Sequence, residues 1–275
     1  MSSLIHPTAI IDPAAELGQR VAVGPYSIVG PGVKIGDDCE IMHHVIVEKN
    51  TELGRGTRLY PFCSVGTDPQ DVTYRGEQTH VTIGEKNVIR EFVQINRGTP
   101  KGGDYTRLGD ENFIMAYSHI AHDCQIGNQV VLINGATLAG HVEVEDQAVI
   151  GAFSSVHQFV RIGKNAYIGG YTIVLQDILP FSKIAQTRDF YDFYGPNAIG
   201  MRRAGLDSAM VRSVRDIFDI IYRQDLNTRQ ALDKIRKDYA DHPAARTIRD
   251  FIEKSKRGLL KNFRMTKDRP NHQPK

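Results

Sequence analysis

An all-β solenoid followed by a small helical domain is the fold class that this 275-residue chain predicts. Three observations carry the expectation. An aliphatic residue recurs every six positions as far as Val174, two polar insertions interrupt the recurrence, and it is missing from a basic C-terminal segment whose apolar residues are spaced as in helices.

The period is plain from Ile120 onward: Ile126, Leu132, Leu138, Val144, Ile150, Val156, Ile162, Ile168 and Val174. The same comb runs from Ile5, Ile11 and Leu17 to Leu59 and Val65, and a third run is Ile83, Ile89 and Ile95. Glycine often follows the aliphatic residue (Gly24, Gly127, Gly151), and a small residue often sits two places before it (Cys39, Cys63, Cys124, Ala136, Ala166). Six matches neither the helical period nor the alternation of a half-buried strand. It matches a β-helix coil in which each unit makes one face and one corner. The aliphatic residue points inward, and the glycine is expected to give the corner its backbone freedom. At the usual strand spacing of about 4.8 Å, three faces per coil stack into a prism roughly 40–45 Å tall.

The insertions come next. Between Val65 and Ile83 the inward positions carry Asp71 and Glu77, so the chain is expected to leave the prism near 67–80. A second excursion is expected near 97–107, where the frame slips by one residue. Long excursions from a rigid scaffold are commonly functional, and the first carries Gln70, Asp71, Tyr74 and Arg75. The solenoid is therefore assigned to residues 1–190.

Residues 191–262 are assigned to a basic helical domain and 263–275 to a disordered tail. From Gly200 onward there are 19 Lys and Arg against 10 Asp and Glu; the rest of the chain has 15 against 22. Met210, Val211, Val214, Ile217, Phe218 and Ile221 have helical spacing, with Asp207 or Ser208 as cap. Two further helices are expected, one starting at Pro243 and ending near Gly258. The basic charge is read either as an ordinary solvated surface or as a site for an acidic protein partner. It does not suit nucleic acid, because the aromatic and glycine-rich elements of RNA-binding modules are missing. No signal peptide is visible and no apolar run is long enough to insert stably in a membrane. Three cysteines in small-residue slots read as packed thiols of a cytoplasmic protein.

The stretches "HIAHDC", "NGATLAGHV", "VHQF", "IGG", "PQDVTYRGE" and "NRGT", in this order on the comb and followed by the helical segment, resemble the UDP-N-acetylglucosamine O-acyltransferases that begin lipid A synthesis. The resemblance runs to about Lys261. It implies a left-handed parallel β-helix, an exception to the right-handed crossover rule, and a homotrimer with active sites in the clefts between prisms. The donor would be a 3-hydroxyacyl chain on acyl carrier protein, and the acceptor the 3-hydroxyl of UDP-N-acetylglucosamine. No metal or organic cofactor is implied.

A sugar hydroxyl attacking a thioester needs a base and an oxyanion donor, and histidine suits the base. The resemblance puts the base on His122, with Asp123 to orient the ring, and the oxyanion donor on the Gly140 N–H. It makes His141, His157 and Gln158 ligands of the sugar or acyl carbonyl, with His119 close by. Asp71 would contact the sugar nucleotide with Gln70 beside it, and Asn197 and Arg203 its uracil nucleotide or phosphates, for which an arginine fork is suited. Gly170 would be the floor of the acyl groove, a ruler permitting a long chain. From spacing alone, His122, His141 and His157 are expected to form a ladder along one edge. The chain departs from the usual pattern at Thr73, where a lysine is common, at Asn96, where a histidine is common, and through "TRDFYDFYG".

Other readings of the same residues are an N-acyltransferase acting on an amino-sugar nucleotide, and a zinc γ-carbonic anhydrase using His119, His122 and His141. A covalent acyl-enzyme on Cys124 and a non-catalytic scaffold are further alternatives; on the bland reading, Gln70, Asn197 and Arg202 are ordinary loop or helix surface and Gly170 serves only its corner.

Overall fold

The structure, a computed structural model, describes residues 4–187, 190–261 and 263–265. Its strands, mostly two residues long, form three sheets of nine, eight and eleven strands among the described residues, parallel throughout except for one hairpin at the end of the eleven-stranded sheet. As far as Val174 consecutive strands belong to different sheets, so each circuit of the chain adds one strand to all three faces of a left-handed β-helix. In undisturbed coils, stacked partners are 18 residues apart, as in Ile10↔Ile28↔Ile46 and Thr137↔Ser155↔Ile173. Nine strands at about 4.8 Å give a prism about 40 Å tall.

The comb is the core. Val23, Val29, Ile41, Val65, Ile95, Ile120, Leu138, Ile150, Ile168 and Val174 are all buried, whereas Ile5, Ile11 and Leu17 are half-buried on the open first coil. The glycine after the aliphatic residue has a different physical reason from the one expected. The left-handed corner residue comes three places after the aliphatic one and is usually not glycine: Arg20, Tyr26, Asp38, His44, Phe62, Asp123 and His141 all have φ between 55° and 64°. The glycine is needed because neighbouring coils touch there. A Cβ on Gly24 would lie 2.8 Å from the Met42 carbonyl carbon, and one on Gly36 would lie 2.8 Å from the Arg55 nitrogen.

The first excursion leaves after the strand Ser64–Thr67 and rejoins at His80–Ile83; the second leaves after Gln94–Asn96 and rejoins at Tyr105–Leu108, two residues earlier than expected. The strands Ser182–Thr187 and Phe190–Pro196 form an antiparallel hairpin that continues the eleven-stranded sheet across the boundary expected at residue 190. The helices begin at α1 (Ala198–Arg203), followed by α2 (Ser208–Arg223), α3 (Thr228–Asp238) and α4 (Pro243–Lys254). Asp207 caps α2 through the Met210 N–H at 2.8 Å, and α4 stops four residues short of Gly258. Buried Asp177 ties this domain to the prism: its carboxylate accepts from Arg161 N and Ser255 Oγ, and its backbone pairs with Gly258 and Leu260. Phe263–Met265, expected in the disordered tail, pair as a strand with Tyr191–Phe193 because the hairpin presents an open edge there. The remainder of that expected tail lies outside the described residues.

Candidate active site

His122 and Asp123 occupy the corner that joins the nine-stranded sheet (His119–Ile120) to the eight-stranded sheet (Gln125–Ile126). Ile120 points inward, so the turn carries His122 outward and half-buries it while its neighbour Asp123 turns under it, left-handed and buried. His122 Nδ1–H donates to Asp123 Oδ2 at 2.7 Å. An ionised carboxylate can only accept, so Nδ1 carries a proton, and in the neutral ring the lone pair lies on Nε2.

Asp123 is held from below by the second excursion. Thr99 N–H donates to Oδ1 and Thr99 Oγ1 to Oδ2, each at 2.7 Å, while Asp123 N–H donates to Thr106 Oγ1 at 2.8 Å. Burial alone would raise the carboxyl pKa, but the hydrogen bonds from His122 and Thr99 outweigh it and hold the group below the ordinary carboxylate range. Gly102 closes the arrangement: a Cβ there would overlap the Asp123 carboxyl group.

One coil up, Gly140 lies directly over His122 and His141 over Asp123. The His141 N–H donates to the His122 carbonyl at 3.0 Å. A Cβ on Gly140 would stand 2.5 Å from His122 Cε1 and 2.8 Å from Nε2, so the absent side chain is what gives the imidazole its place. The Gly140 N–H has no partner among the described residues. The His141 ring meets that of His122 edge-on at 5.2 Å and stacks on Phe159 at 4.4 Å. Burial lowers the pKa of both His141 and His119, so both stay neutral near pH 7.

The expected ladder of His122, His141 and His157 is not vertical. The coil repeats at 18 residues and the spacings are 19 and 16, so the three occupy successive positions of the same turn. His157 and Gln158 are exposed on that corner one coil beyond Gly140 and His141. His119 points outward on the adjoining face, stacked on Gln94, whose Oε1 accepts from Gln70 Nε2 at 3.1 Å. The first excursion thus folds back toward the site. Asp71 Oδ1 accepts from Thr73 N–H at 2.7 Å and Thr73 Oγ1–H at 2.8 Å, bonds that lower its pKa. At the departure Thr73, Lys101 Nζ of the second excursion donates to Oγ1 at 2.8 Å. At the departure Asn96, Nδ2 donates to Thr67 Oγ1 and the Asp68 carbonyl, and buried Arg97 binds Gly66 O, Asp68 and Tyr74, anchoring the first excursion.

Asn197 and Arg203 are not brought to His122 within one chain. They lie against the outer face of the eleven-stranded sheet, opposite the His122 corner, beside a cavity of about 620 Å³ that Tyr167 and Lys183 also line. Buried Asn197 caps α1, accepting from Gly200 N–H, and donates to the Asn165 carbonyl. Gly170 stands on the corner that joins the eleven- and nine-stranded sheets. It is exposed and outside the left-handed region, which Tyr171 occupies instead, so the backbone conformation places no demand on glycine here, while an added Cβ would lie 3.2 Å from the Ala152 carbonyl oxygen.

His122, Asp123 and His141 are near enough to share a metal ion, but His119 is not in the group. The Asp123 oxygens are committed to Thr99 and His122, so this donor set is not the three-imidazole one a zinc anhydrase would need. Cys124 is fully buried, its thiol pushed up to about 12 and bonded to the Ala139 carbonyl, which removes it as an acyl-accepting nucleophile.

A prism of these coils with a histidine–carboxylate pair on its corner defines a hexapeptide-repeat transferase: residues 105–140 match the bacterial transferase hexapeptide family. Residues 177–260 match the family described as UDP-N-acetylglucosamine O-acyltransferase, domain 2. The chain is 45% identical over 257 residues to the acyl-[acyl-carrier-protein]–UDP-N-acetylglucosamine O-acyltransferase of Thermodesulfovibrio yellowstonii, covering 94% of this chain and 99% of that one. It is 46% identical to the Herminiimonas arsenicoxydans enzyme of the same name, covering 94% and 100%. The solved UDP-N-acetylglucosamine acyltransferase of Francisella novicida superposes with a TM-score of 0.91 at 33% identity, over 94% of both chains. The chain belongs to the UDP-N-acetylglucosamine O-acyltransferase family.

Proposed function

We propose that this protein transfers a 3-hydroxyacyl group from acyl carrier protein to the 3-hydroxyl of UDP-N-acetylglucosamine, the first step of lipid A synthesis, by direct attack with His122 as general base. The observation that carries the mechanism is the His122–Asp123 pair, which fixes a proton on Nδ1 and leaves Nε2 turned to Gly140 of the next coil. Nε2 takes the hydroxyl proton as the sugar oxygen bonds to the thioester carbon. The developing oxyanion is met by the unpartnered Gly140 N–H. The C–S bond then breaks, and the imidazolium returns its proton to the departing thiolate. His141, kept neutral, with His157 and Gln158 one coil on, would hold the sugar or the acyl carbonyl, and Asp71 with Gln70 the sugar nucleotide.

The enzyme is proposed to act as a homotrimer in the cytoplasm. A column of exposed rings, including Tyr26, Phe62, Phe92, Tyr117, Phe153 and Tyr171, runs along the corner joining the eleven- and nine-stranded sheets. Each is a bulky residue in the left-handed region, and exposed apolar surface of this extent favours self-association. A second copy seated there would bring its Asn197 and Arg203 to a cleft that one chain leaves incomplete. The free buried thiols of Cys39, Cys63 and Cys124 suit a reducing compartment. For the acidic carrier protein, the end of α4 and the segment after it offer Lys254, Lys256 and Arg257 beside a cavity of about 880 Å³ that reaches Asp123 and His141. His122→Gln should lower kcat about 10²–10⁴-fold while binding of UDP-N-acetylglucosamine persists. Turnover within a few-fold of the native rate would overturn the assignment.

A further inference from the structure

We infer that the Lys101 ammonium is a phosphate-binding group of the substrate cleft. The inference rests on the acyl-transfer reading above and names a contact that the reading does not include. The second excursion makes a single tight turn, Pro100–Gly102, and its two ends do different things. Thr99 and Gly102 are clamped on Asp123, Thr99 by two hydrogen bonds and Gly102 by an approach too close for any side chain. Lys101, between them, is exposed and extends to the first excursion. Its backbone is thereby fixed beside the catalytic corner while its ammonium bridges the mouth between the two loops.

The ammonium is not consumed by an internal ion pair: Lys101 forms none with a carboxylate among the described residues. Its one bond is to Thr73 Oγ1, whose own proton goes on to Asp71 Oδ1 at 2.8 Å. The hydroxyl relay aims the lysine without neutralising it, and two of its three N–H donors remain for an incoming anion. Asp71 is within electrostatic reach of Lys101, His122 and His141, so the cation stands at the rim of the reacting centre. Both substrates of the proposed reaction carry phosphate, the diphosphate of the nucleotide sugar and the phosphodiester of the carrier's phosphopantetheine arm. Lysine recognises either as a compact positive charge.

The test is Lys101→Gln beside Lys101→Arg, with kcat, both KM values and melting temperature measured for each. Loss of one charge-assisted hydrogen bond is expected to raise one KM about ten- to a hundredfold. The kcat should change little, Lys101→Arg should restore much of the loss, and the melting temperature should hold. A rise for the nucleotide sugar assigns the diphosphate. A rise for the donor that is seen with acyl-phosphopantetheine, and is absent with acyl-pantetheine, assigns the phosphodiester. Unchanged KM values, or a lowered melting temperature with both KM values intact, would overturn the inference and leave a structural clasp between loops. A native enzyme inactive on both substrates would instead refute the acyl-transfer reading, and this inference with it.

Discussion

Gly140→Ala isolates the requirement for a correctly seated base. The substitution keeps the backbone N–H that would serve the oxyanion, and Gly140 is outside the left-handed region, so alanine introduces no backbone strain. What it introduces is one methyl group, 2.5 Å from His122 Cε1, 2.8 Å from Nε2 and 3.1 Å from Nδ1. Ordinary carbon contacts begin near 3.5 Å, so the ring must retreat by about 1 Å. It has little freedom to do so, because Nδ1 is bonded to Asp123 at 2.7 Å and His141 stands edge-on at 5.2 Å. A misplacement of about 1 Å costs on the order of 10²-fold in rate. Steady-state kinetics should therefore show kcat down about a hundredfold, with the KM for UDP-N-acetylglucosamine within a few-fold and the protein still folded. A variant that keeps its kcat to within threefold would refute the claim that this glycine is there to seat the base.

The remaining predictions concern specificity, pH and salt. Gly170→Met should shift donor preference toward acyl chains shorter by several methylenes, each displaced CH₂ being worth about 0.8 kcal/mol of burial; an unchanged chain-length profile would end the ruler hypothesis. The pKa of half-buried His119 is lowered from 6.5 by its partial burial, so the unfolded chain binds its proton first as the solution is acidified. Its neutral burial stabilises the fold above that pH and ceases to do so as pH falls below it, by at most about 1.4 kcal/mol per pH unit. Melting curves should show a shallower acid slope for His119→Gln than for the native protein; equal slopes would contradict this. The donor KM should rise with ionic strength, and a salt-independent KM would remove the basic segment as the carrier's docking site.

The solenoid was legible because a fixed inward position every six residues is a one-dimensional signal, and the buried comb follows it from Val23 to Val174. The family's motifs gave His122, Asp123 and Gly140, which the fold brings together. Spacing misled where one residue mattered. His141 lies 19 positions after His122, and the coil of 18 sets it over Asp123, with Gly140 over His122. The glycines of the comb were taken for corners, yet the sharp left-handed residues there carry side chains, and the glycines answer to the coil above. Thr99, Lys101 and Gly102 were missed altogether. They act through contacts between an aperiodic loop and a corner 24 residues away, or a second loop 28 residues away, and no local pattern encodes such a meeting. The hairpin 182–196 was missed for a related reason: its pairing continues a sheet laid down by earlier coils.

The central claim is a direct acyl transfer to a sugar hydroxyl, and the product of a single turnover tests it most directly. Purified protein should be mixed with UDP-N-acetylglucosamine and a 3-hydroxyacyl-acyl carrier protein, and the nucleotide product isolated for mass and for lability to alkaline hydroxylamine. The account predicts one added 3-hydroxyacyl group, released by hydroxylamine as an ester on the sugar 3-hydroxyl, with no acyl group left on the protein, and formed at least a hundredfold more slowly by His122→Gln. A hydroxylamine-stable amide, an acylated protein, or ester formed as quickly by the variant would contradict it.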